Sequence, residues 1–222
     1  MKKLVIVHAG LSRPSSTGML AEEIAHAVEA QVTNRGEGLE IGSVAVVELG
    51  RELATLMSTG VYGEALRAAI DEVCRADALV LATPVFNASY SGLFKMFIDA
   101  LDKDGLTRVP VVIAATAGTP RHALVLEHAM RPLLSYLRAI VMPTAVFAAT
   151  EDFGAREDLR RRVHRAAQEL AGYLVDVRQA VAGFVPEEED VAPRKANRVT
   201  DVDAGITDFR ELLRGHDGNG RP

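Results

Sequence analysis

The sequence predicts a three-layer, doubly wound α/β sandwich around a five-stranded parallel sheet. Three observations carry that prediction. Five short apolar runs alternate with stretches that are apolar only at helical spacing. The runs are continuous rather than alternating, as strands are when helices cover both faces of a parallel sheet. Two prolines fall where such a sheet tolerates them.

The first strand is expected over residues 4–9, followed by a helical stripe at Leu20, Ile24 and Val28. The second is expected over 44–49, followed by Leu66, Ile70 and Val73. The third spans 78–83 and leads to Leu93, Phe94, Phe97, Ile98 and Leu101. The fourth spans 109–117, with Pro110 at its start, where a missing N–H does little harm; Leu126, Met130, Leu133, Leu134 and Leu137 follow. The fifth is expected over 140–148, followed by Leu159, Val163, Ala167, Leu170 and Leu174. Pro143 inside that strand is tolerable only on an edge, and the strand order 2-1-3-4-5 puts strand five on an edge.

Composition narrows the class. The chain has 222 residues, 48% hydrophobic and 25% charged, with one cysteine, no tryptophan and a formal net charge of −5. One cysteine excludes an internal disulfide and, on its own, a Cys/His zinc site. The charge argues against a nucleic-acid partner, and no apolar run reaches membrane length. The short run at 4–7 is no signal peptide, so a cytoplasmic protein is expected. Residues 1–182 form the expected domain. Residues 183–222 hold 9 acidic and 6 basic residues, and they read as an acidic, largely disordered tail with at most a short helix over 206–213.

Ligands of such sheets bind beyond the carboxyl ends of the strands, at the switch point between strands one and three. After strand one, Ser12, Arg13, Ser15, Ser16 and Thr17 bring four hydroxyls and a guanidinium to a helix start. One of Ser15, Ser16 or Thr17 suffices as a cap; the set exceeds that need and suits a phosphate monoester. The loop is neither a G-x-G-x-x-G fingerprint nor a Walker A loop. After strand three, Thr83-Pro84-Val85-Phe86-Asn87-Ala88-Ser89-Tyr90-Ser91-Gly92 offers polar groups at Asn87 and Ser89, or simply a helix cap at Ser89 or Ser91. After strand four, Thr116, Ala117, Gly118 and Thr119 would let backbone amides approach a flat ligand.

Ser12-Arg13-Pro14-Ser15-Ser16-Thr17, the 82–92 stretch and Thr116-Ala117-Gly118-Thr119 together resemble the NAD(P)H-dependent FMN reductases of flavodoxin-like fold. The likeness is greatest to the reductases that supply two-component monooxygenases of alkanesulfonate and methanesulfonate use. It covers roughly residues 3–180. It implies that Ser12, Arg13, Ser15, Ser16 and Thr17 hold the FMN phosphate. Pro84, Val85, Phe86, Asn87 and Ser89 would line the ribityl chain and ring, and Thr116, Ala117, Gly118 and Thr119 would cover the ring's pyrimidine end. It also implies a nicotinamide donor (NADPH or NADH, with a lean to NADPH), a flavin-dependent monooxygenase partner, and a homodimer or homotetramer. In the sulfonate-linked members a residue inserted in the fourth helix makes a π-bulge at the oligomer interface, and His128 falls in the matching segment. Phe86 stands where many relatives carry tyrosine.

In such a reaction the cofactors carry the chemistry, and no nucleophile–base pair stands out. Cys74 reads as a core filler and His8 as a packed residue, while Arg121 and His122 are candidates for nicotinamide or phosphate contact, or for a polar role at a helix start. Few aromatics fit a flavin that is released rather than clamped. The alternatives are an FMN-bound quinone, azo or chromate reductase, and a flavodoxin-like electron carrier without NAD(P)H activity of its own.

Overall fold

The computed structural model describes residues 1–153 and 156–176. The expected boundary after residue 182, the acidic tail and its short helix lie outside the described residues.

The first strand, β1 (Lys2–His8), is central, with Leu4, Val5, Ile6 and Val7 all buried. It leads into α1 (Ser16–Thr33), which Ser15 caps by accepting the Gly18 N–H at 3.1 Å. Next comes β2 (Leu39–Ala45), paired in parallel with β1 along its whole length. This corrects the expected second strand: most of 44–49 is a 3₁₀ turn, Val46–Leu49. An edge strand is wetted along one side, so its pattern is broken by Glu40, Gly42 and Ser43, and the apolar run marks the turn that follows.

Two helices follow where one was expected. The first, α2 (Gly50–Thr59), buries only Leu53 and Leu56 and stops at Gly60, whose φ of 75° suits glycine. The second, α3 (Glu64–Cys74), has no side-chain cap of its own, but Glu52 on α2 accepts the Leu66 N–H at 2.7 Å. A two-residue apolar stripe is too short to be seen in the sequence.

The third strand, β3 (Ala78–Phe86), runs through Pro84 and folds back onto β4 (Ser89–Tyr90). The expected loop is therefore a β-hairpin. Its two turn residues, Asn87 and Ala88, have φ of 49° and 64°, the positive values that a twisted two-residue hairpin requires. Thr83 Oγ1 accepts the Ser91 N–H at 3.0 Å, which ties the hairpin's end to the strand. Ser91 then caps α4 (Gly92–Asp99).

The next strand, β5 (Pro110–Ala117), is buried throughout except at Ala117. Beyond it a π turn, Leu126–Met130, runs into α5 (Arg131–Tyr136). The expected fifth strand is in fact two, β6 (Ile140–Val141) and β7 (Val146–Ala149), both parallel to β5. Pro143 lies in the gap between them, so it is outside a strand rather than within one. The gap is filled from both sides. Arg131 donates to the carbonyls of Met142 at 3.0 Å and Pro143 at 3.1 Å, and Glu169 accepts from the Thr144 N–H and hydroxyl at 2.8 and 2.6 Å. The last helix, α6 (Arg156–Asp176), carries Glu169.

The sheet runs in the order β2-β1-β3-β5-β6, with β7 also on β5 and β4 on β3, which is the expected 2-1-3-4-5 once β6 and β7 are counted as the one expected fifth strand. Side chains alternate between two cores. Val5, Val7, Leu79, Leu81, Val111 and Ile113 meet α2 through α5, whereas Leu4, Ile6, Val80, Val112 and Ala114 meet α1 and α6. Cys74 packs half-buried against the first core. No helix among the described residues is long and apolar enough to cross a membrane.

Candidate flavin site

The carboxyl ends of β1, β3, β5 and β7 surround a cleft of about 510 Å³. That lies inside the range of about 300–1,000 Å³ usual for small-molecule sites. It forms where the order turns between β1 and β3, as the switch-point rule requires.

One wall is the turn from β1 into α1, with Gly10, Leu11, Ser12, Ser15, Ser16 and Thr17. The chain there is tight: a Cβ on Gly10 would collide with the Ser15 hydroxyl. The first amides of α1 have no intrahelical acceptor, and the helix end favours an anion. A second wall is Pro84, Val85 and Phe86 at the end of β3, held flat by the hairpin. A third is Thr116, Ala117 and Gly118, where nothing stands within 4 Å of a Cβ built on Gly118. Thr150 and Phe153, in the turn after β7, complete the lining.

Ten of the residues expected from sequence thus line one cleft: Ser12, Ser15, Ser16, Thr17, Pro84, Val85, Phe86, Thr116, Ala117 and Gly118. Four are elsewhere. The Arg13 guanidinium pairs with Glu48 at 2.7 Å, the two side chains being 80% and 61% exposed. Asn87 is exposed at the hairpin tip, and Ser89 faces Phe86 in the hairpin register. Thr119 caps the turn Pro120–His122, which carries Arg121 and His122 away from the lining. Gly10, Leu11, Thr150 and Phe153 were not foreseen. The switch-point rule directs attention to strands one, three and four, and the break in the edge strand brings the end of β7 against β5.

Behind the wall formed by the turn into α1, the His8 ring packs on Gly18, and its Nδ1 is buried without a hydrogen-bond partner among the described residues. Burial pushes its pKa below the ordinary value against the pull of Glu22 and Glu48. The ring serves as packing under the loop.

A hydroxyl-lined helix start, a flat apolar wall and a small-residue wall fit the three parts of FMN: phosphate, ring face and ring edge. Fold and cleft together define a flavodoxin-like mononucleotide-binding protein. The chain belongs to the NADPH-dependent FMN reductase family, whose model matches residues 1–154. An FMN reductase (NADPH) from Pseudomonas aeruginosa is 40% identical over 176 residues, 76% of this chain and 90% of the relative. An NADH-dependent FMN reductase, SfnF, from Pseudomonas fluorescens is 34% identical over 173 residues, 76% of this chain and 90% of its own. Among solved structures, an oxidoreductase from Corynebacterium diphtheriae is 52% identical with a TM-score of 0.76, covering 79% of this chain and 98% of that one.

Proposed function

We propose that this member of the FMN reductase family takes FMN as an exchangeable substrate, reduces it with a reduced nicotinamide, and passes the product to a flavin-dependent monooxygenase. The observation that supports exchange is the lining of the cleft. Among the described residues its aromatic lining is Phe86 and Phe153, without a tyrosine, and Phe86 is half in solvent. A ring backed on one side by Pro84 and Val85 is supported without being clamped.

The hydroxyls of Ser12, Ser15 and Ser16 and the first amides of α1 hold the phosphate. Arg13 joins them once it leaves Glu48. Ala117 and Gly118 admit the ring edge close to the backbone, where amide donors favour the negative charge of reduced flavin. When bound, FMN supplies the hydride-accepting chemistry. The chain's contribution is alignment of two flat rings and exclusion of water, which needs no acid–base pair. NADPH is the favoured donor, as the name of the 40%-identical relative suggests, and NADH the second. We place the reaction in the cytoplasm, where reduced nicotinamides are held. Exposed Leu124 and Tyr136, flanking the π turn that contains His128, support a homodimeric or homotetrameric assembly through that face.

The test is NADPH oxidation by the isolated full chain at increasing FMN, with the visible spectrum of the purified protein. We expect saturable dependence on added FMN and little retained flavin. A yellow protein that turns over quinone without added FMN would establish a bound-cofactor reductase instead. Absence of NAD(P)H oxidation would leave an electron carrier.

A further inference from the structure

The buried hydroxyls of Thr17 and Thr116 lie 2.7 Å apart, joining the first turn of α1 to the end of β5 across 99 residues of chain. Thr17 is 2% exposed and Thr116 5%, and both reach the cleft. Neither side chain has another hydrogen-bond partner among the described residues. Two hydroxyls sharing one hydrogen bond leave one proton over, because one oxygen donates and the other keeps its own proton. A buried O–H without an acceptor is costly, so the spare proton is directed to whatever occupies the cleft.

We infer that Thr116 is a positioning residue for the phosphate site: it donates to Thr17 Oγ1, so that Thr17 presents its own proton to the flavin phosphate. This rests on the reading of the cleft as an FMN site. The direction follows from the ligand's chemistry. A phosphate monoester near neutral pH is chiefly an acceptor, and Thr17 sits on the same wall as Ser12, Ser15 and Ser16. Ser15 Oγ already accepts from the Gly18 amide, so it too has its proton to give. Thr116 therefore acts on the phosphate end through Thr17, although its own loop faces the ring end. The pair also locks the two loops together before any ligand arrives.

The proposal separates FMN from riboflavin, which has the same ring and side chain without the phosphate. Fluorescence titration of both flavins would compare the wild type with Thr116→Val, Thr116→Ser, Thr17→Val and the double valine variant. Thr116→Val should weaken FMN about five- to tenfold, the size of one ordinary hydrogen bond, while riboflavin changes by less than about twofold. Thr116→Ser should restore FMN binding. In the Thr17→Val background, Thr116→Val should cost nothing more. Equal weakening of both flavins would overturn the inference and assign the spare proton to the ring or ribityl chain. Unchanged FMN binding, or a full additive loss in the double variant, would overturn it as well. Should Thr116→Val fail to give folded protein, Thr116→Ala supplies the same comparison. Failure of the wild type to bind FMN would instead remove the FMN reading itself.

Discussion

Arg13 has two claims on it. Its guanidinium is expected at the phosphate, yet it pairs with Glu48 on the turn after β2. Both side chains are largely in solvent, so the pair contributes at most about 1 kcal/mol. A phosphate carries more charge than a carboxylate, so on the proposed reading the ligand would take Arg13 beside the helix start, after displacing Glu48. Glu48→Gln should therefore tighten FMN about two- to fivefold at low salt, with riboflavin unchanged. The gain should vanish near 1 M salt, where screening acts over about 3 Å. Titration of both flavins at two ionic strengths checks this; no change at low salt would mean that Glu48 does not compete. Arg13 was legible as a cation in a phosphate loop, but its partner was not. Glu48 is 35 residues away and becomes a neighbour only when β2 pairs with β1.

At the scale of elements, the break in the edge strand is held by two side chains, Arg131 on one side and Glu169 on the other. Arg131 holds Glu127 through two hydrogen bonds, at 2.6 and 3.0 Å, and caps the carbonyls of Met142 and Pro143 with the same guanidinium. The pairing keeps the Glu127 carboxyl below its ordinary pKa. Pro132 stands at the junction where the π turn runs into α5. Replacing Arg131 with methionine leaves several carbonyls and a carboxylate unpaired. It should destabilise the fold by about 2–3 kcal/mol, lowering Tm by roughly 4–12 °C. Thermal unfolding followed by circular dichroism measures this, and a Tm within error of wild type would show that water replaces the clamp. Central strands β1, β3 and β5 were readable as apolar runs because both their faces are dry. The edge elements were not: β2 is interrupted by polar residues, β6 and β7 are shortened by Pro143, and α2 buries too little to show a stripe.

Across the whole molecule, two cores are closed among the described residues: α1 and α6 cover one face of the sheet, and α2 through α5 the other. A chain ending at residue 182 should therefore unfold at the same temperature as the full chain and keep its FMN-dependent NADPH oxidation. Differential scanning calorimetry and the steady-state assay decide it. Loss of either would give residues 183–222 a structural or catalytic part.

Sequence by itself determined the sheet order, the two-sided core and the three loops that meet at the switch point. These follow from local chemistry: apolar runs for dry strands, stripes for helices, and hydroxyls and small residues at strand ends. Only the tertiary structure decided which of those residues share a cleft. It brought in Thr150 and Phe153, took Arg13 to Glu48, and turned Asn87 and Ser89 into hairpin residues. It also joined Thr17 to Thr116 across 99 residues. Such contacts depend on strand register and on how two loops close over one another, and distances of that kind are not encoded in any local pattern.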